Sequence, residues 1–173
     1  MFNISSYIKY PNKLIEDLSI INNNYNRFFI ELDDENTIKT IVKDIESEYI
    51  EGVIYLEYNG TILMDFTYWD IIDQLWAYLV NLVNDTLNNQ EAEVYFPDQP
   101  IKLKLKNLSN NLVLFTIEST TTTQLTLPKN EFFEMLLESA NEFFLKVQGY
   151  FGCKVDYSYE LELINKLKNK LAQ

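Results

Sequence analysis

The sequence predicts an α+β fold: a twisted antiparallel β-sheet with amphipathic helices packed on one face. Three observations predict it. Short apolar-rich runs are joined by tight turns, which suits antiparallel pairing. Four other segments repeat apolar residues every three or four positions, the mark of helices with one buried face. No internal repeat and no linker rich in Gly, Pro or Ser divides the 173 residues, so residues 1–173 read as one domain.

Residues 1–33 carry the least regular pattern. Pro11-Asn12 would open a short helix over Lys13–Ile21, which Asn22-Asn23-Asn24 breaks, and Arg27–Leu32 reads as a strand. Asp33-Asp34-Glu35-Asn36 forms a turn and a helix start, because acids favour the positive end of the helix dipole. Ile38, Ile41, Val42 and Ile45 follow at helical spacing. Val53–Tyr58 and Thr61–Phe66 flank Asn59-Gly60, the strongest local signal of a hairpin, since both turn residues need positive φ.

Thr67-Tyr68-Trp69-Asp70 has the form of a capping box. The helix it would open buries Ile72, Leu75, Trp76, Leu79, Leu82, Val83 and Leu87 and ends near Asn88-Asn89. Glu93–Phe96 reads as a short strand stopped by Pro97. Ile101–Lys106 alternates strictly, with Ile101, Leu103 and Leu105 inward and Lys102, Lys104 and Lys106 outward. A cross-strand match of those lysines with acids of the first hairpin is expected. Leu112–Glu118 and Gln124–Leu127 are further strands. Pro128 suits the first turn of a helix whose apolar series runs from Phe133 to Phe151, and a last helix spans about Tyr159–Leu171.

The net charge of −12 is unevenly spread. From Asp44 through Ile101 there are 12 acids and no base, while the rest of the chain holds 14 of each. Such a field attracts basic surfaces and repels nucleic acid. The N-terminus lacks the basic and apolar regions of a signal peptide, and no apolar run reaches the length of a membrane span. A cytoplasmic location is expected. The abundance of Ile, Asn, Lys and Tyr beside a single Arg, Arg27, suggests an AT-rich bacterial genome.

The chain has no His, so the commonest general base and every triad built on it are absent. Its one cysteine, Cys153, excludes an internal disulfide and reads as a small buried hydrophobe. Four scattered glycines do not make a phosphate cradle. Carboxylate chemistry, with or without a divalent cation, stays open through Asp70 and Asp73, through Asp33-Asp34-Glu35, and through Glu91 and Glu93.

The expectation is therefore a binding protein without a catalytic centre or cofactor. An immunity or inhibitor protein that neutralises a basic partner such as a toxin fits best. The alternatives are an adaptor or secretion-type chaperone acting as a dimer, and a carboxylate- or metal-dependent enzyme. The expected partner surface comprises Tyr68, Trp69, Asp70 and Asp73 at the start of the central helix, with Glu91, Glu93 and Asp98 beyond its end. The acids would meet cations and Trp69 would serve as an apolar anchor.

Overall fold

Phe2-Asn3-Ile4-Ser5-Ser6-Tyr7-Ile8-Lys9 sends alternate side chains to opposite sides, and in the computed structural model, which describes residues 1–172, it is the first strand, β1 (Phe2–Lys9). The fold class is α+β, as the patterning predicts. The strands form two antiparallel sheets where the sequence suggested one. The chain divides into two compact units. The first comprises Met1–Asp73 and Glu142–Tyr157, and the second Gln74–Asn141 and the residues from Ser158 onward.

In the first unit, β2 (Phe29–Glu31), β1, β3 (Glu51–Tyr58) and β4 (Thr61–Met64) lie side by side in that order, and β5 (Asp70–Ile71) also pairs with β3. The β3–β4 hairpin turns at Asn59 (φ 50°) and Gly60 (φ 82°), as the Asn-Gly pair predicts. Helix α1 (Glu35–Ile41) is capped by Asp34, whose carboxylate accepts hydrogen bonds from the Thr37 N–H and hydroxyl. The inner face of the sheet buries Ile8, Ile30, Ile54, Leu56 and Met64. Residues Glu142–Tyr157 are tied in by the Tyr150 hydroxyl, which donates to the Leu32 carbonyl at 2.8 Å, and by Lys146, which bonds Asp33 and Glu142.

The second unit holds a four-stranded meander: β6 (Glu91–Tyr95), β7 (Lys102–Asn107), β8 (Leu112–Glu118) and β9 (Thr122–Pro128). One face carries Leu103, Leu105, Val113, Phe115, Ile117 and Leu127, all buried. Phe132 of α3 (Lys129–Phe151) packs edge-on against Phe115 on that face. Asn107 donates to the carbonyls of Thr86 and Asn89, fixing the end of α2 (Ile72–Asn88). Lys170 of α4 (Ser158–Leu171) donates to Asn88.

Four expectations are corrected. Lys13–Ile21 is not a helix: only Leu18–Ile20 form one 3-10 turn, capped by Asp17. A helix that short is marginal without a buried stripe, and Leu14, Leu18 and Ile20 are exposed. Thr67-Tyr68-Trp69-Asp70 does not open α2. Asp65 caps a 3-10 turn at Phe66–Tyr68, Trp69 is extended, and Asp70 and Ile71 pair with Gly52 and Glu51. The free edge of β3 supplies backbone partners that outcompete a local cap, and the helix starts at Ile72. Of the outward lysines of β7, Lys102 and Lys104 meet glutamates of their own sheet, because the first hairpin belongs to the other one. Cys153 is exposed: Gly152 (φ 61°) ends α3 and turns the next residues outward.

At Gly52 the first unit leaves no room for a side chain. A Cβ there would stand 2.1 Å from the Tyr7 carbonyl oxygen and 3.0 Å from Ile72 Cγ2. Neither a paired strand nor a buried Ile yields easily. Gly52→Ala should therefore cost about 3 kcal/mol of folding free energy, the upper end of ordinary overpacking. Urea unfolding followed by circular dichroism checks this, and an unchanged midpoint would contradict the close approach.

Candidate functional site

The structure separates the residues expected to form a partner surface. Asp70 is 2% exposed, and its carboxylate accepts the Ile71 N–H at 2.7 Å. Pairing with β3 has turned it inward, so it cannot meet a partner. Asp73 is half-buried and accepts a hydrogen bond from the Tyr157 hydroxyl at 3.1 Å. Tyr68 is half-buried. Trp69 packs on the cluster of Ile21, Phe29, Val53 and Phe66, with the Lys9 ammonium 5.8 Å from its ring centroid. Glu91 and Glu93 are exposed but paired: Lys104 lies 3.2 Å from Glu91, and Lys102 lies 3.8 Å from Glu93 and 2.9 Å from Glu118. Asp98 is exposed in the turn after β6.

These pairings discharge the acidic stretch in one place and leave it standing in another. The first unit holds 16 acids against 7 bases (net −9), and the second 10 against 7 (net −3). Strand register puts Asn3, Ser5, Tyr7 and Lys9 of β1 on the outer face of the first sheet. Glu31 of β2 lies opposite Tyr7, and Tyr55 and Glu57 of β3 lie opposite Ser5 and Asn3. Ile62 of β4 lies opposite Glu57. The segment around Ile21–Phe28 and the turn at Phe66 fold over the middle of this face.

At one end of the face is a cavity of about 320 Å³ lined by Asn3, Tyr7, Asn22, Tyr25, Tyr55, Ile62, Asp65 and Phe66. Phe66 is its hub. Tyr25 stacks on it at 4.3 Å, Tyr7 meets it edge-on at 4.9 Å, and Tyr55 lies 5.8 Å away. Asp65 is held by the Thr67 N–H at 2.9 Å and by Asn22, whose amide donates at 2.7 Å and whose carbonyl accepts the Phe66 N–H. The Tyr55 hydroxyl donates to Glu57 at 3.1 Å. Among the described residues, no Lys or Arg stands within ion-pair distance of Glu31, Glu57 or Asp65. Burial, then the charge of Glu31, pushes the Tyr7 phenol up to about 12. Burial and the hydrogen bond to Glu57 raise Tyr55.

At the other end Lys9, whose side chain is 6% exposed, pairs with Glu51 at 2.9 Å beside a cavity of about 250 Å³ whose lining includes Asp44, Glu46 and Tyr49. A buried pair of this kind mainly fixes geometry, because desolvation offsets much of its attraction. Here it locks β1 to β3. It also takes the one basic side chain of this face out of play.

Tyr7, Tyr25, Asn22, Asp65 and Phe66 lie outside the surface that the sequence predicts. The period-two alternation of residues 2–9 was the available signal. It marks Tyr7 as facing away from Ile8, but not what comes to cover it. Among the described residues no group of three or more Cys, Asp or Glu is arranged to hold a metal ion, and no helix is long and apolar enough to cross a membrane. No protein-family model, curated protein or solved structure matches the chain.

The Tyr7 environment sets a pH dependence. The folded phenol keeps its proton to about pH 12, whereas in the unfolded chain it loses it near 10. Its contribution to stability is thus full below pH 10 and is lost as pH rises through 12. Denaturant midpoints should fall over that window, and Tyr7→Phe should flatten part of the fall. An identical pH profile in the variant would contradict this.

Proposed function

We propose that the chain is a non-catalytic binding protein that captures a basic protein partner on the outer face of its first sheet, in the manner of an immunity protein neutralising a toxin in the cytoplasm. The observation that carries the reading is the set of carboxylates Glu31, Glu57 and Asp65, which lie beside tyrosines of this face and, among the described residues, have no Lys or Arg within ion-pair distance. Opposed charge steers encounter, and aromatic rings supply contact area at little entropic cost. The partner surface is thereby moved from the start of α2 to the face formed by β1, β2 and β3.

The test is capture from a native lysate at low and at high salt, followed by kinetics on the protein retained. A basic partner released by salt is expected. Glu31→Lys with Glu57→Lys should slow association about tenfold at low salt and leave dissociation nearly unchanged. Retention that is indifferent to salt and to the reversal would sink the reading.

One observation favours the second reading, a dimeric adaptor. Among the described residues no strand pairs with the outer edge of β9, and Thr122–Leu127 contain no charge, proline or bulge to discourage a further strand. The β6 edge, by contrast, carries Glu91 and Glu93. Under this reading sedimentation gives a dimer that Thr126→Pro dissociates; a monomer at high concentration removes it.

A further inference from the structure

We propose that the cavity among Tyr7, Tyr25, Tyr55 and Phe66 takes a single arginine side chain of the partner, its guanidinium against the tyrosine faces and directed at Asp65. The assignment rests on the reading of a basic partner and adds which side chain the site recognises.

Size gives the first argument. The cavity is about 320 Å³, at the lower limit of the range of about 300–1,000 Å³ in which small-molecule sites fall, so it suits one side chain better than a cofactor. Charge gives the second. Glu31, Glu57 and Asp65 make the potential negative; burial is the larger cause of the raised phenols, and Glu31 at Tyr7 and Glu57 and Asp65 at Tyr55 add to it. An anion is repelled there, and a cation is drawn to the rings as well as to the acids.

Hydrogen bonding selects guanidinium over ammonium. An ionised carboxylate has about four acceptor positions. At Asp65, Oδ1 takes the Thr67 N–H and hydroxyl, and Oδ2 takes the Asn22 amide, so one position on Oδ2 stays open. A planar guanidinium can donate to it in the plane while its face lies on a tyrosine ring. Ammonium is more strongly hydrated and has no flat face to stack. Asp65 is already oriented by three donors before any guest arrives, so little ordering remains to be done on binding.

The test uses the full chain, 15N-labelled, titrated with Nα-acetyl-arginine N-methylamide, with its citrulline isostere (the same shape without the charge), and with the lysine analogue. The arginine probe should give saturable shifts at the amides of Tyr7, Tyr55, Asp65 and Phe66, and citrulline should give none. Tyr55→Leu keeps an apolar filler but removes a ring, and should weaken the arginine probe about fivefold, the worth of one modest cation–π contact. Preserved spectral dispersion shows that this variant is folded. Equal response to citrulline, shifts spread over all acidic segments without saturation, or lysine binding as well as arginine would each overturn the assignment. A basic partner held equally by wild type and Tyr55→Leu, with no probe binding, removes the arginine site and leaves acidic capture standing. Probe binding without any captured partner does the reverse.

Discussion

A carbonyl oxygen of one strand occupies the place where the side chain of its neighbour would begin. Tyr7 O lies where a Cβ of residue 52 would point, and only glycine leaves that space empty. The contact decides more than one strand pair. It brings β1 against β3 over a register running from Phe2–Tyr58 to Ile8–Gly52. It leaves room for Ile72, whose N–H reaches the Ile50 carbonyl at 2.8 Å, so that α2 begins where β5 leaves the sheet. It also fixes where Tyr7 stands on the outer face, and with it the wall of the tyrosine-lined cavity.

The hairpin at Asn59-Gly60, the alternation of β7 and the apolar stripes of α2, α3 and α4 were legible because each depends on neighbours in sequence. What escaped depends on partners far away. Asp70 looks like a capping acid among residues 67–70, but the edge of β3, some twenty residues earlier, claims it. Residues 2–9 alternate well enough to be a strand, yet Ser5-Ser6 breaks the apolar series and hides it. The cavity draws Tyr7, Asn22, Tyr25, Tyr55 and Asp65 from separate segments. No local pattern joins them before the strand register is known.

Charge shows the same difference between sequence and space. Counted along the chain, Glu91 and Glu93 belong to an acidic run. In the second sheet they stand beside Lys102 and Lys104, and that face is close to neutral. Glu31 lies outside the run, beside Arg27 and near Lys39, yet in the first sheet it joins Glu57 on a face whose one lysine is already paired. A functional field is a property of a surface, and strand pairing decides which acids share it.

The composition of the two units bears on synthesis. Chains emerge from the ribosome N-terminus first, and units tend to fold as they become available. The second unit's meander pairs each strand with the next, contacts that close quickly. The first unit cannot be completed on its own early segment, because it includes Glu142–Tyr157. The sheet that bears the tyrosine cavity thus has all its strands by Ile71, while the unit around it waits for Glu142–Tyr157. Until that segment arrives, the nascent unit lacks the bonds that Tyr150 gives to Leu32 and Tyr157 to Asp73, so its first 73 residues wait, incomplete, through the synthesis of the whole second sheet.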